Sequence, residues 1–159
     1  MTLDSKKLLD DVGWKILQEL QTDARLSFAE LGRRVELSLP AVAERVRRME
    51  QVGIITGYST HVNLQQIGLT VMAFVHINTV SEKYASITSL AGDLPQVLEC
   101  HHVTGTDSFI LKVVAASIPH LETLITQLSK YGQTTSSVVL SSPITKQVIE
   151  REASGPEED

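Results

Sequence analysis

Residues 27–53 read SFAELGRRVELSLPAVAERVRRMEQVG, and two helix starts stand back to back within them. Ser27 lies three residues before Glu30, the spacing of a capping box in which the hydroxyl takes the Glu30 N–H while the carboxylate reaches back. Ser38 offers a second N-cap, and Pro40 falls in the first turn after it, where a missing N–H costs nothing. Only Glu36–Leu37 separates the two helices, which predicts a helix-turn-helix.

The second helix shows which way it faces. Val42, Val46 and Met49 recur at i, i+4 and i+7 and form one apolar stripe that packs inward. At 100° per residue Pro40, Ala41, Glu44, Arg47 and Arg48 point the other way, with Arg45 on the flank. Small residues at the N-terminal end and arginines further along suit a helix that enters the major groove and reaches base edges or phosphates. With the two cap serines, the candidate DNA-binding set is Ser27, Ser38, Pro40, Ala41, Glu44, Arg45, Arg47 and Arg48.

Upstream, residues 1–9 read as a loose lead-in. Asp10 caps a helix to about Gln21 with Val12, Ile16, Leu17 and Leu20 inward, and Leu9 with Trp14 fits a hydrophobic staple. Trp14 is read as a packing residue rather than a base-stacking one. Downstream, Gly53 stands where a helix C′ residue belongs, and Ile55–Asn63 reads as an extended arm free to pair with a partner chain.

Beyond Gly68 the pattern turns from helical to alternating. Leu69–Val80 is a predicted strand, with Val71, Ala73, Val75 and Ile77 on one face and Met72, Phe74, His76 and Asn78 on the other. Ser81–Leu94 is a helix stopped by Pro95. Val97–Thr104 and Ser108–Ala115 are strands joined by the Gly105-Thr106-Asp107 turn. Ser117 caps a helix that ends near Gly132, and Thr135–Ser141 is a fourth strand, with Thr145–Glu150 continuing it past Pro143. The order βαββαβ is the ferredoxin-like split unit. The fold class is therefore α+β: a helix-turn-helix domain at 1–60, a linker at 61–68, a ferredoxin-like domain at 69–150 and a disordered tail at 151–159. Two helices cover one sheet face only. The open face is an aggregation hazard on a monomer, so a homodimer through it is expected.

Composition agrees with this outline. In 159 residues, 42% are hydrophobic and 21% charged, as in ordinary globular chains. No run of about 18 apolar residues predicts a membrane span, and the N-terminus lacks a signal-peptide core, so the cytoplasm is the expected location. The net charge is −5. Residues 1–60 hold nine Lys/Arg against nine Asp/Glu, while residues 61–159 hold five against ten. A neutral first domain with Arg33, Arg34, Arg45, Arg47 and Arg48 clustered predicts DNA binding through one face, with a shallow salt dependence. His101 and His102 point to opposite faces of a strand and do not share a metal; Cys100, the one cysteine, reads as a packing residue. No P-loop, GxGxxG, Ser/His/Asp order or zinc spacing is present, so neither a cofactor nor an enzymatic activity is predicted.

LDDVGWKIL, then the run LSLPAVAERVRRMEQVGII at Leu37–Ile55, then VTGTDSFILKV at Val103–Val113, in this order and spacing, resemble the Lrp/AsnC (leucine-responsive, feast/famine) transcriptional regulators over about residues 8–150. The resemblance implies a regulator whose second, RAM-type domain dimerises, stacks dimers to octamers and binds an amino acid or similar metabolite. It places the effector against Val103, Gly105, Thr106, Asp107 and Ser108, closed by Gln133, Thr134 and Thr135 of a neighbouring chain. Turn N–H groups suit a carboxylate, and Asp107 or hydroxyls suit an α-ammonium. Many members carry the acid where Ser108 stands; here it comes one residue earlier, which re-aims it. The plainer reading of this stretch as a hairpin turn stays open. So do two other functions, an architectural protein that coats DNA and a metabolite sensor or enzyme subunit built on the sheet half. For a sequence-specific dimer, half-sites lie about 34 Å apart, one duplex turn.

Overall fold

The computed structural model describes residues 3–145 and 148–154, which fall into two compact units. A helical unit holds the residues up to His61 together with those after Pro143; a sheet unit runs from Val62 to Pro143.

The helical unit contains α1 (Leu3–Leu8), α2 (Asp11–Thr22), α3 (Phe28–Arg34) and α4 (Leu39–Gln51). Asp10 caps α2, its Oδ1 accepting from the Gly13 N–H at 2.8 Å, and Ser27 caps α3 by accepting from Glu30 N–H at 3.2 Å. The return half of the expected capping box is not made: the Glu30 carboxylate accepts from Arg33 and Arg34 instead. Ser38 has the extended backbone of an N-cap but no side-chain cap bond. Pro40, in the first turn, has removed one of the N–H groups a cap would take.

Between α3 and α4 the chain turns through Glu36 in the left-handed region, φ 59°. The Leu37 N–H then donates to Gly32 O at 2.8 Å, the long bond of a Schellman closure. A Cβ on Gly32 would lie 2.6 Å from Leu37 O, so only glycine admits this approach. The same closure ends α4, where Gly53 has φ 76° and Ile54 N–H donates to Met49 O at 2.9 Å. The core is Leu8, Ile16, Leu20, Leu31, Val35, Val42, Val46 and Met49. The expected loose lead-in is thus partly a helix, because Leu8 finds a place in that core.

The sheet unit contains β1 (Val71–Asn78), α5 (Tyr84–Asp93), β2 (Val97–His102), β3 (Phe109–Ala115), α6 (Ile118–Leu128) and β4 (Gln133–Val138). The antiparallel order is β2-β3-β1-β4, the ferredoxin-like arrangement. One face, with Ala73, Val75, Ile77, Leu111 and Val113, is buried under Ile87, Ala91, Leu121, Leu124 and Leu128 of α5 and α6. The register places Met72, Phe74 and His76 with Val114, Lys112 and Ile110 on the opposite face, where Phe74 is 38% exposed.

Two boundaries differ from expectation. The sheet unit ends at Pro143 rather than residue 150, and residues 145 and 148–150 form no fourth-strand continuation; residues 146–147 lie outside those described. Ile149 instead bonds α2: its N–H donates to Gln21 Oε1 at 2.8 Å and its carbonyl accepts from Gln21 Nε2 at 3.2 Å. Of the tail expected to be disordered, Arg151–Ser154 is a 3-10 turn, and residues 155–159 lie outside those described. The segment 56–63, expected to be an extended arm, has no regular secondary structure.

Trp14, the only tryptophan, lies in the helical unit and reports its unfolding. Gly32→Ala is expected to destabilise that unit by about 1–3 kcal/mol, through overpacking against Leu37 O. Gly53→Ala, which meets open space but keeps a positive φ, is expected to lose about 1 kcal/mol. Urea unfolding followed by tryptophan fluorescence measures both.

Candidate nucleic-acid and effector sites

Burial of Val42, Val46 and Met49 turns one side of α4 to solvent, and Pro40, Ala41, Glu44, Arg47 and Arg48 are all exposed there. The Arg47 and Arg48 side chains are 57% and 64% exposed. Arg45 departs from the expected set. Its side chain is only 25% exposed, and its Nη2 donates to Asp10 Oδ1 at 2.6 Å, fastening α4 to the N-cap of α2. Periodicity sets its angle on the helix, but only the packing of α2 decides which neighbour that angle meets.

The basic cluster is neutralised within itself. Arg47 donates from Nε and Nη2 to the two Glu44 oxygens at 2.9 and 2.8 Å, and Arg48 Nε lies 3.8 Å from the same carboxylate. On α3, Glu30 takes both Arg33 and Arg34, and Arg34 also reaches Glu19 at 2.6 Å. The two arginines hold the Glu30 carboxyl down at about 2. The hydrogen bond from Arg47 keeps Glu44 below the usual carboxylate range, and that from Arg45 does the same for Asp10. Exposed pairs of this kind contribute little to stability. Their consequence is that the face carries arginine geometry without a strong positive field. Ser27 accepts its cap bond, which leaves its O–H free to donate.

In the sheet unit, Val103 N–H donates to Ser108 O at 3.0 Å and closes the turn between β2 and β3, with Gly105 at φ 116°. Asn78 Nδ2 donates to Thr106 O at 2.7 Å. Asp107 does not point away from the sheet: its Oδ2 lies 2.9 Å from His76 Nδ1. Ser108 is buried, donates to Thr79 O at 3.0 Å and accepts from Thr79 N–H at 3.2 Å, so it secures the turn to the end of β1. The β4 residues Gln133, Thr134 and Thr135 pair with Asn78, Ile77 and His76. Both groups of candidates therefore flank the same end of β1 within one chain. Thr134 shares its face with buried Ile77, on the helix-covered side, whereas Gln133 and Thr135 share the open face with Asn78 and His76.

Alternation places His76 and Asn78 on the correct strand face but does not reveal them as partners of the turn. That needs the β1–β3 register, which pairs His76 with Ile110. The neighbouring histidines separate as alternation predicts. His101 Nε2 lies 3.1 Å from Glu99 Oε2, while His102 packs against Tyr84 and Phe109 with ring centroids 4.8 and 5.0 Å away. Cys100 packs against the core, and burial pushes its thiol pKa up, away from a reactive thiolate. Trp14 lines an apolar groove of about 460 Å³ with Leu17, Ile55, Tyr58 and Ile149.

A helix-turn-helix with a solvent-facing second helix, followed by a ferredoxin-like domain, defines a class of DNA-binding regulators. Residues 9–50 match the AsnC-type helix-turn-helix domain and residues 72–149 the Lrp/AsnC ligand binding domain. The regulator LrpC of Bacillus subtilis is 37% identical over 138 residues, covering 87% of this chain and 96% of its own. The regulatory protein AsnC of Escherichia coli is 32% identical over 146 residues, covering 89% and 96%. The structure of B. subtilis LrpC superposes with a TM-score of 0.83 over 87% of this chain and 99% of that one. A transcriptional regulator of Neisseria meningitidis, solved as its L-Met complex, gives 0.85 at 26% identity over 91% and 98%. The chain belongs to the Lrp/AsnC family of transcriptional regulators and is a sequence-specific DNA-binding protein. Among the described residues no helix is long and apolar enough to cross a membrane.

Asp10 both caps α2 and holds Arg45, and Asp10→Ala is expected to lower stability by about 0.5–2 kcal/mol at pH 7. Because the folded state depresses the Asp10 pKa, its contribution is full above about pH 4 and fades as the pH falls through the lowered value. Urea midpoints of wild type and variant should therefore converge as the pH is taken below about 4, with the gap unchanged between about pH 5 and 7.

Proposed function

We propose that α4 lies in the major groove with Pro40, Ala41, Glu44, Arg47 and Arg48 toward the duplex, while the helix starts at Ser27 and Ser38 meet phosphates. The observation that carries this is the exposed arginine pair on the one side of α4 that packing leaves free. Arg45 acts from behind that face, through Asp10, rather than on the bases. Two chains pair through the open sheet face around Met72, Phe74 and Ile110, and dimers assemble further. The turn at 103–108, with Gln133 and Thr135, holds a small amino acid or related metabolite. The turn N–H groups receive its carboxylate, and the oxygen of Asp107 not facing His76 receives an ammonium. The L-Met complexes of similar regulators support an amino acid as the ligand class. The chain works in the cytoplasm as a regulator, not an enzyme.

Duplexes selected from a random library by the wild-type protein provide the test. Arg47→Ala is expected to weaken binding to the selected duplex by about 1–3 kcal/mol as the loss of a base reader, and Arg48→Ala to weaken selected and random duplexes alike. Unchanged affinity in the double variant removes α4 as the reading helix. Uniform footprints over unrelated sequences would instead indicate a DNA-coating protein.

For the effector, thermal shift across the twenty L-amino acids is the measurement. A ligand at 100 times its dissociation constant should add about 2.7 kcal/mol of stability. Asp107→Asn is expected to abolish the shift without lowering the melting temperature of the free protein by a comparable amount.

A further inference from the structure

We propose that Glu44 is a positioning residue that makes Arg47 a reader of guanine, and that it lowers affinity for DNA of arbitrary sequence at the same time. The inference rests on α4 being the reading helix. A guanidinium has five N–H donors on two usable edges, a side edge formed by Nε and one Nη, and an end fork formed by the two Nη groups. Glu44 occupies the side edge of Arg47, with Oε2 2.9 Å from Nε and Oε1 2.8 Å from Nη2. The end fork is left for another partner. That fork is the shape which matches O6 and N7 of guanine in the major groove.

The carboxylate acts on Arg47 in two ways. Both its oxygens take one guanidinium, which biases Arg47 against the rotamers through which a free arginine would find the nearest phosphate. Its negative charge repels the phosphate backbone in every sequence alike. Arg48 is not gripped in this way, since its Nε stays 3.8 Å from Glu44, beyond hydrogen-bond reach. It remains a flexible cation suited to a phosphate.

A similar side-on pair on α3 serves as the internal contrast. Arg33 meets Glu30 at 3.0 and 2.7 Å, but Glu30 also takes Arg34, which is bonded in turn to Glu19. That network knits α2 to α3. The Glu44–Arg47 pair makes no such bridge. It stands on the exposed side of α4 that also carries Pro40 and Ala41, whose small side chains let the backbone come close to a base.

The experiment uses full-length protein and randomised duplexes, selected separately with wild type, Glu44→Ala, Glu44→Gln and Arg47→Lys. Wild type is expected to select a guanine at one position of each half-site. Glu44→Ala should reduce preference for that base about tenfold while binding random duplexes more tightly, with a salt slope steeper by about 1 as Arg47 turns to a phosphate. Glu44→Gln, which keeps one acceptor, should fall between. Arg47→Lys keeps the charge but not the fork, and should lose preference at the same position only.

The proposal is overturned if Glu44→Ala selects the wild-type sequence with undiminished discrimination. It is equally overturned if Glu44→Ala weakens random and selected duplexes alike, the pattern of a merely structural pair. If wild type selects a sequence but Arg47→Lys changes a position different from Glu44→Ala, Glu44 does not act through Arg47. Failure of the wild type itself to select any sequence removes α4 as a base reader and this inference with it.

Discussion

Complete burial of Val42, Val46 and Met49 is the constraint from which the helical unit follows. Each such side chain contributes about 1.5–3 kcal/mol on leaving water, and together they permit α4 only one rotation about its own axis. Rotation about that axis determines everything displayed on the other side. The turn before α4 must be tight enough to bring α3 against the same core. That is why Gly32 lies against Leu37 O and why Glu36, though not glycine, takes a left-handed backbone. Asp10 and Arg45 then join the start of α2 to the flank of α4, so the helix presented to solvent is held by apolar contact on one side and by a charged clasp on another.

The electrostatics of that unit are quieter than a cluster of five arginines suggests. Glu19, Glu30, Glu44 and Asp10 each lie against one or more of them. Pairing in solvent adds little to folding, yet it flattens the potential through which a protein attracts any polyanion. A regulator that must find few sites among many gains from this arrangement. Affinity for the backbone at large is reduced, whereas the geometry that distinguishes one base from another is retained.

In the sheet unit, polar bonds join the turn to the end of β1. His76, Asn78, Thr79 and Ser108 tie the segment between β2 and β3 to the end of β1, and β4 lies along the other side of the same strand. Hydrogen bonds to a turn of this kind leave it ordered but close to solvent, the condition in which backbone N–H groups are available to a ligand.

Local chemistry along the chain was enough to determine most of the elements: the caps at Asp10, Ser27 and Ser117, the closure at Gly53, the inward stripe of α4 and the alternation of β1 are read from neighbours within a few residues. These carried the fold class, and with it the exposed placement of Glu44, Arg47 and Arg48. What tertiary structure alone decided are the contacts between residues far apart in sequence. Arg45 meets Asp10, Asp107 meets His76, and Gln21 takes the backbone of Ile149, at separations of 35, 31 and 128 residues. No local propensity encodes such partners, because they depend on strand register and helix crossing, which are set only when the whole core closes. For the same reason Ser38 and Ser108, both binding candidates in the sequence, differ in the folded chain. The first keeps its hydroxyl clear of the cap, and the second commits its own to Thr79.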